Sequence, residues 1–171
     1  MITQGLRVAL GSDHAGFLLK QRIIPFLMEK GCKIKDFGTY SQESFDYADA
    51  VHPLSAALEN GDHDFGIVIC GSGNGANITA NKHKGIRAAL CWKVEIARLA
   101  RLHNNANVLS LPARFISEDT ALQICDIFLK TDFEGGRHTR RVEKMSWKDN
   151  DTFEELEFDE SLTTEIQDDE E

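Results

Sequence analysis

Several features that would assign this chain to a class at once are missing from its sequence. No apolar run approaches the roughly 20 residues that a membrane helix needs, and the chain opens on a strand-like run instead of a signal peptide. No Cys-x-x-Cys pair is present, which argues against a zinc site and for free thiols in a reducing compartment. We therefore expect a cytoplasmic protein whose four cysteines are unpaired: Cys32, Cys70, Cys91 and Cys125.

The chain also lacks a basic surplus, so nothing in it indicates a nucleic-acid partner. Its formal net charge is −9, but the acidity is concentrated at the C-terminal end. Residues 149–171 contain twelve Asp and Glu and no Lys or Arg, whereas residues 1–148 carry 16 acidic and 19 basic residues. We predict one domain over residues 1–148, followed by an acidic, disordered tail over residues 149–171.

Short apolar runs alternate with helical patterns along the first 148 residues. This alternation predicts an α/β layered fold around a five-stranded, mostly parallel sheet. Ser117 is expected to cap the fifth helix, and Pro25 to kink or divide the first. The predicted strands are 6–10, 33–37, 64–69, 87–91 and 108–111, and the predicted helices are 17–30, 46–60, 76–82, 94–102, 118–129 and 137–147.

The most informative stretch is DFGIVICGSGNGANITANK, residues 64–82, which reads as a buried strand, a glycine turn and a helix. Bare backbone N–H groups at such a turn suit an anion, and a thiol there loses its proton more easily. The spacing G-x-G-x-G fits neither the dinucleotide fingerprint nor the Walker pattern. The alternative for Cys70 is ordinary packing at a strand end.

Polar residues follow the ends of several predicted strands. Parallel strands end at one edge of a sheet, where ligands bind, so these residues are expected to converge there. Each also has a plainer explanation, such as a helix cap or a surface position. The candidates are Asp13, His14, Asp46, Tyr47, Cys70, Ser72 and Arg114.

Two further groups come later in the chain. Arg137 and Arg141 in RHTRR are four residues apart, hence on one helix face, and guanidinium groups suit phosphate oxygens. A solvated basic patch is the alternative. His103 and Asn104 end the fourth helix, where the helix dipole also favours a structural histidine.

The chain carries six short strings in order: GSDHAG, CGSGNG, ANK, GIRAA, RLHNNANVL and GGRHTRRV. Taken together, they resemble the type B ribose-5-phosphate isomerases, a family that includes the galactose-6-phosphate isomerase subunits. The resemblance extends over residues 6–147. It implies a three-layer α/β/α Rossmann-like fold, a homodimer or tetramer, an active site shared between two subunits, and no metal or nucleotide cofactor.

The resemblance also implies a role for each candidate. Cys70 matches the base that moves a proton between C2 and C1 of the open-chain sugar. Some members use a glutamate in the following loop, where this chain has Ala76. His103 matches the residue that helps to open the furanose ring, and Asp13 a contact to sugar hydroxyls or the ring oxygen.

The remaining matches concern binding of the substrate. Ser72 stands near the proton-transfer path. The backbone of Gly71, Ser72, Gly73, Asn74 and Gly75 matches an anion hole. Asn104 matches a hydroxyl contact. The phosphate contacts are His14, Arg137 and Arg141, with Arg114 as a further candidate.

We therefore expect an aldose–ketose isomerase that interconverts ribose 5-phosphate and ribulose 5-phosphate through an enediolate, in pentose phosphate metabolism. Two alternatives stay open at this point. One is an isomerase of a six-carbon sugar phosphate, such as allose or galactose 6-phosphate. The other is a non-catalytic module that binds a phosphosugar or a nucleotide.

Overall fold

Five parallel strands form the centre of the structure, a computed structural model that describes residues 3–146. They are Arg7–Ser12 (β1), Lys33–Asp36 (β2), Phe65–Cys70 (β3), Ala88–Leu90 (β4) and Val108–Pro112 (β5). Their order in the sheet is β2-β1-β3-β5-β4, and each neighbouring pair is parallel. The predicted five-stranded parallel sheet is confirmed. The acidic segment 149–171 and the boundary at residue 148 lie outside the described residues.

Six helices connect and follow the strands: Phe17–Glu29 (α1), Tyr47–Glu59 (α2), Asn74–Ala80 (α3), Val94–Asn104 (α4), Glu118–Lys130 (α5) and Arg137–Glu143 (α6). The Ser117 cap is confirmed, since its side chain accepts a hydrogen bond from the backbone N–H of Thr120. The prediction that Pro25 divides α1 is wrong. The helix continues through the proline because Ile23 and Leu27 are fully buried in the core, and this packing holds the helix despite one missing hydrogen bond.

Two apolar clusters cover the two faces of the sheet, which gives the three layers. The larger includes Ile23 and Leu27 of α1 together with Ala97 of α4 and Ile124 and Phe128 of α5. The smaller forms on the α2 and α3 side. Every residue of β3 is buried, as expected of a central parallel strand covered on both faces. Among residues 3–146, no helix is both long enough and apolar enough to span a bilayer.

The register of the sheet determines which residues meet at its carboxyl edge. Ser12 of β1 is opposite Ile69, and Cys70 of β3 is opposite Pro112 of β5. The residues that follow β1, β3 and β5 therefore leave the sheet side by side. This is the edge at which parallel α/β sheets bind ligands.

A buried lysine that sequence patterns did not reveal supports this edge. The Lys20 side chain has no exposed surface, and its Nζ donates to Asp36 Oδ1 at 2.5 Å and to the carbonyl of Thr39 at 2.7 Å. Burial lowers the pKa of Lys20, and the hydrogen bond to Asp36 opposes that effect. The bonds hold the segment after β2 beside Ser12, whose N–H donates to Gly38.

Replacing Lys20 by Met should lower the free energy of unfolding by about 3–5 kcal/mol, because it leaves Asp36 without its buried partner. Urea unfolding with tryptophan fluorescence measures this. Lys33→Met, at an exposed position of β2, is the matched control and should stay within about 0.5 kcal/mol. Equal losses of unfolding free energy in the two variants would show that the ion pair between Lys20 and Asp36 does not stabilise the fold.

Candidate active site

The turn after β3 contains two glycines at which an added side chain would collide with residues of other elements. Gly73 has φ +77°, and a Cβ there would overlap the side chain of Leu90. A Cβ on Gly75 would lie 2.5 Å from the Tyr47 ring, so this ring packs on bare backbone. Residues 71–75, which we call the glycine turn, are thus closed in by side chains from other elements, as expected of a backbone that must approach another group closely.

The N–H groups of the glycine turn are available to a ligand. Within residues 3–146, the backbone N–H groups of Gly71, Ser72, Gly73 and Gly75 donate to no other residue. Ser72 Oγ accepts from the N–H of Asn74 at 3.3 Å. Because α3 has only seven residues, about 10 Å of helix, its dipole is short. The free N–H groups, more than the dipole, make this turn a place for negative charge.

Ser110 holds the turn from below and was absent from the sequence candidates. It is fully buried, and its Oγ donates to the carbonyl of Gly73 at 2.7 Å. The only signal in the sequence is a serine inside the apolar run VLSLP of β5. A buried hydroxyl is costly unless it is hydrogen-bonded, so a lone serine in a central strand indicates a specific partner.

The candidates after β1 and β5 lie beside this turn. Asp13 is 7% exposed; its N–H donates to the carbonyl of Ile69, and its Oδ1 accepts from Gly16 N–H. Arg114 donates its backbone N–H to Gly71 at 3.0 Å, and its guanidinium group packs 3.5 Å from where a Gly71 Cβ would be. One edge of the chain thus holds a carboxylate, a guanidinium group and free amides.

Three more candidates lie around the start of α2. His14 Nδ1 lies 3.3 Å from both the backbone N and O of Phe45, which fixes the ring near the start of α2. Tyr47 begins α2 and is 39% exposed. The neighbouring Asp46, a strand-end candidate, is the N-cap residue of α2 but makes no side-chain cap hydrogen bond.

Cys70 differs from the other three cysteines in its position. It ends β3, is 3% exposed, and its side chain packs in the smaller apolar cluster with the glycine turn immediately after it. Burial raises the pKa of the Cys32 thiol. Burial also raises the pKa of Cys91, to about 12, and it raises the pKa of Cys125 by more. All four thiols are buried, and Cys70 is set apart because the glycine turn and its free backbone donors follow it directly.

His103 and Asn104 do not join this group within one chain. They end α4, and β5 begins only four residues later, at Val108. Cys70 is paired with Pro112 at the other end of β5, about 13 Å along the strand. A helix that leads into a parallel strand ends at the amino edge of the sheet, so these residues lie at the edge opposite Cys70.

The residues around His103 form a second cluster. Its ring stacks on that of His138, with centroids 4.2 Å apart and an interplanar angle of 12°. Glu134 lies 3.8 Å from His103 Nε2 and 4.0 Å from His138 Nε2, and Arg137 Nε donates to His138 Nε2 at 3.3 Å. Arg141 follows one helical turn later and is exposed. Glu134 and His138 were absent from the sequence candidates, although their i, i+4 spacing could have suggested a pair.

This cluster is the one set of three possible metal ligands in the described part of the chain: His103, Glu134 and His138. The two rings are nearly parallel, so their lone pairs lie in separate planes and do not converge on one ion. Arg137 also occupies His138 Nε2 and brings a positive charge. The cluster is therefore better suited to an anion or to proton transfer than to a cation.

Comparison with known proteins gives a consistent result. The family model described as ribose/galactose isomerase matches residues 8–145. The chain is 42% identical over 140 residues to the ribose-5-phosphate isomerase B of Escherichia coli, covering 82% of this chain and 94% of that protein.

Solved structures agree with the sequence match. A ribose 5-phosphate isomerase from Thermotoga maritima superposes with a TM-score of 0.80 at 49% identity, covering 81% of this chain and 96% of that one. A ribose-5-phosphate isomerase B from Mycoplasma genitalium, solved with bound ribulose-5-phosphate, superposes with a TM-score of 0.78 at 42% identity. This superposition covers 82% of the present chain and 94% of the Mycoplasma genitalium chain.

The surroundings of His138 should keep its imidazole neutral to lower pH than usual. Burial lowers its pKa from the ordinary 6.5, and the charges of His103 and Arg137 lower it further. The unfolded chain binds this proton at the ordinary pKa. The stability that neutral His138 contributes to the fold is therefore complete above pH 6.5. It is lost as the pH falls through the lower pKa that His138 has in the folded chain. An NMR titration of the imidazole protons should give a midpoint below 6.5 for His138.

Arg137→Gln should raise that midpoint, since it removes one of the positive charges that lower it. Arg140→Gln on the exposed face of α6 is the control and should leave the midpoint unchanged. A His138 midpoint at or above the ordinary value would contradict this account of the cluster.

Proposed function

This chain belongs to the ribose/galactose isomerase family, and we propose that it is a type B ribose-5-phosphate isomerase, which interconverts ribose 5-phosphate and ribulose 5-phosphate. The reaction moves a proton between C2 and C1 of an open-chain sugar and needs no net oxidant. We assign it to pentose phosphate metabolism in the cytoplasm.

The observation that carries this proposal is a thiol directly followed by free backbone donors. Cys70 ends β3, and the N–H groups of Gly71, Ser72, Gly73 and Gly75 have no partner in the described chain. A base beside an anion hole is the arrangement that enolisation requires, because charge develops on the carbonyl oxygen as the proton leaves carbon.

In the proposed mechanism, His103 first assists opening of the furanose ring. The Cys70 thiolate then takes the proton from C2 of the aldose, which leaves an enediolate whose negative oxygen accepts hydrogen bonds from the glycine turn. Cys70 returns a proton to C1, and a hydroxyl proton moves from O2 to O1 with Ser72 Oγ nearby as carrier. Asp13 orients the sugar hydroxyls.

The phosphate anchors the sugar at its far end. Arg137 and Arg141 lie on one face of α6, and guanidinium groups bind phosphate oxygens in a fixed geometry. His14 and Arg114 supply further positive or donor groups at the edge that carries Cys70, while Asn104 supplies a hydroxyl contact at the other edge. A bound phosphate holds C2 of the sugar near the Cys70 thiolate, so proton transfer takes place within one complex and needs no further collision.

Cys70→Ala should lower kcat for ribose 5-phosphate by at least about 10²–10⁴-fold, the usual contribution of a general base, while binding of a phosphate-bearing competitive inhibitor persists. Turnover is measured by the absorbance of the ketose and inhibitor binding by calorimetry. Cys32→Ala is the matched control, because Cys32 is also buried but lies near Thr3, away from the glycine turn. Full turnover by Cys70→Ala would exclude this thiol as the base.

The separation of Cys70 and the glycine turn from His103 and Asn104 supports an active site shared by two copies of the chain. One chain holds Cys70 and His103 at opposite edges of its sheet, too far apart to act on one sugar. Large apolar side chains are exposed around the β4 edge, with Ile78 at 57%, Trp92 at 48% and Met145 at 48%. A cavity of about 250 Å³ there includes Asn104 in its lining. We propose that a second copy packs on this surface and brings its His103 to Cys70.

Mixing Cys70→Ala chains with His103→Ala chains should restore activity, since one of the two sites in each mixed dimer is then intact. With random exchange in an isologous dimer, about a quarter of the wild-type activity is expected. The assay follows turnover after subunit exchange, with mixed dimers verified by native mass spectrometry. Each variant mixed with itself is the control, and mixed dimers without activity would rule out a shared site.

A further inference from the structure

A chain of three side chains on the opposite side of the sheet from α1 has no part in the proposed reaction. His83 follows α3, and its Nδ1 lies 3.0 Å from Glu59 Oε2 at the end of α2. Its Nε2 lies 2.8 Å from Nδ1 of His52, on the same helix. From this geometry we propose that His52 and His83 form a binding site for a borderline divalent transition-metal ion, with Glu59 orienting His83.

Glu59 determines which nitrogen of His83 is free to bind a cation. A carboxylate can only accept, so His83 Nδ1 carries the proton and the lone pair of the neutral ring is on Nε2. The hydrogen bond from His83 lowers the pKa of Glu59, which keeps the carboxylate charged. A carboxylate bonded to the far nitrogen of a ligand histidine is the usual outer partner in metal sites.

The two nitrogens face each other at hydrogen-bond distance. The N–H of His52 now lies between them, donated by Nδ1 to His83 Nε2. A cation there would replace that proton, which moves to His52 Nε2 on the solvent side, so the ring stays neutral and nothing is oxidised or reduced. Around a tetrahedral ion with bonds of about 2.0–2.1 Å, the nitrogens would be roughly 3.3 Å apart. They need to separate by about 0.5 Å from the observed 2.8 Å. The rings must also turn, so that their lone pairs meet at the ion instead of facing each other.

The surroundings permit that adjustment. His52 is exposed on α2, so its ring can move and water can complete the coordination. His83 is held more firmly, because its N–H donates to Ala80 and its carbonyl accepts from Ile86. The rings are tilted by 50°, unlike the nearly parallel rings of His103 and His138. Lys82 and Lys84 flank His83 and weaken cation binding without occupying either nitrogen.

The ligand set also selects the ion. Imidazole nitrogens bind Cu²⁺, Ni²⁺ and Zn²⁺, with Cu²⁺ bound most tightly, whereas Mg²⁺ and Ca²⁺ prefer oxygen ligands. A bound ion would tie α2 to the turn after α3. These two helices start at Tyr47 and Asn74, beside the glycine turn, so the ion would restrain the framework of that edge from outside it.

The test uses the full chain titrated calorimetrically with Cu²⁺, Ni²⁺, Zn²⁺ and Mg²⁺ in a non-coordinating buffer. We expect one site per chain for the first three ions and none for Mg²⁺. His52→Ala and His83→Ala should abolish it. Glu59→Gln should weaken it by about 10–100-fold, the usual effect of losing an outer carboxylate.

His103→Asn is the matched control, because it removes an imidazole from the other histidine cluster and should leave the affinity unchanged. Saturating Ni²⁺ should also raise the Tm of the wild type and not that of His52→Ala. Binding that survives His52→Ala and His83→Ala, binding that is lost in His103→Asn, or no binding at all overturns the proposal. None of these measurements depends on isomerase activity.

Discussion

The polarity of the parallel sheet is the constraint on which the rest of this structure depends. Because every strand runs the same way, whatever follows a strand leaves at one edge and whatever ends a helix arrives at the other. Cys70 and the glycine turn therefore belong to one edge, and His103 and Asn104 to its opposite. No side-chain movement can close a gap that the backbone topology creates. An active site that needs both must draw on two chains.

Within the carboxyl edge, the glycine turn is shaped by what surrounds it. Leu90 and Tyr47 occupy the space in which side chains at residues 73 and 75 would lie, and Ser110 holds the carbonyl of Gly73 from beneath. The turn is consequently rigid, yet its N–H groups stay unpaired within the described chain. Rigid, unpaired donors stabilise developing charge without the reorganisation that water would need. This links packing around bare backbone directly to the proposed chemistry.

The sequence predicted the features that depend on neighbouring residues and missed those that depend on contacts between distant residues. Apolar runs and the Ser117 cap are local signals, so the strands and the start of α5 were predicted to within a few residues. The predicted division of α1 at Pro25 was wrong because tertiary packing of the helix outweighed the local cost of the proline. The contacts made by Lys20 and Ser110, and that between His52 and His83, join residues 16 or more positions apart. No local pattern reveals them, and each became visible only with the fold.

By itself the sequence determined the class of fold, the order of its elements and the residue types available for isomerisation, because periodicity and motif spacing are properties of neighbouring residues. The tertiary structure alone decided which of those residues can meet. It united Asp13, the glycine turn and Arg114, added Ser110, and separated them from the cluster of His103 and His138. The physical reason is that proximity across the sheet follows from strand order and direction, which no single segment of the chain encodes.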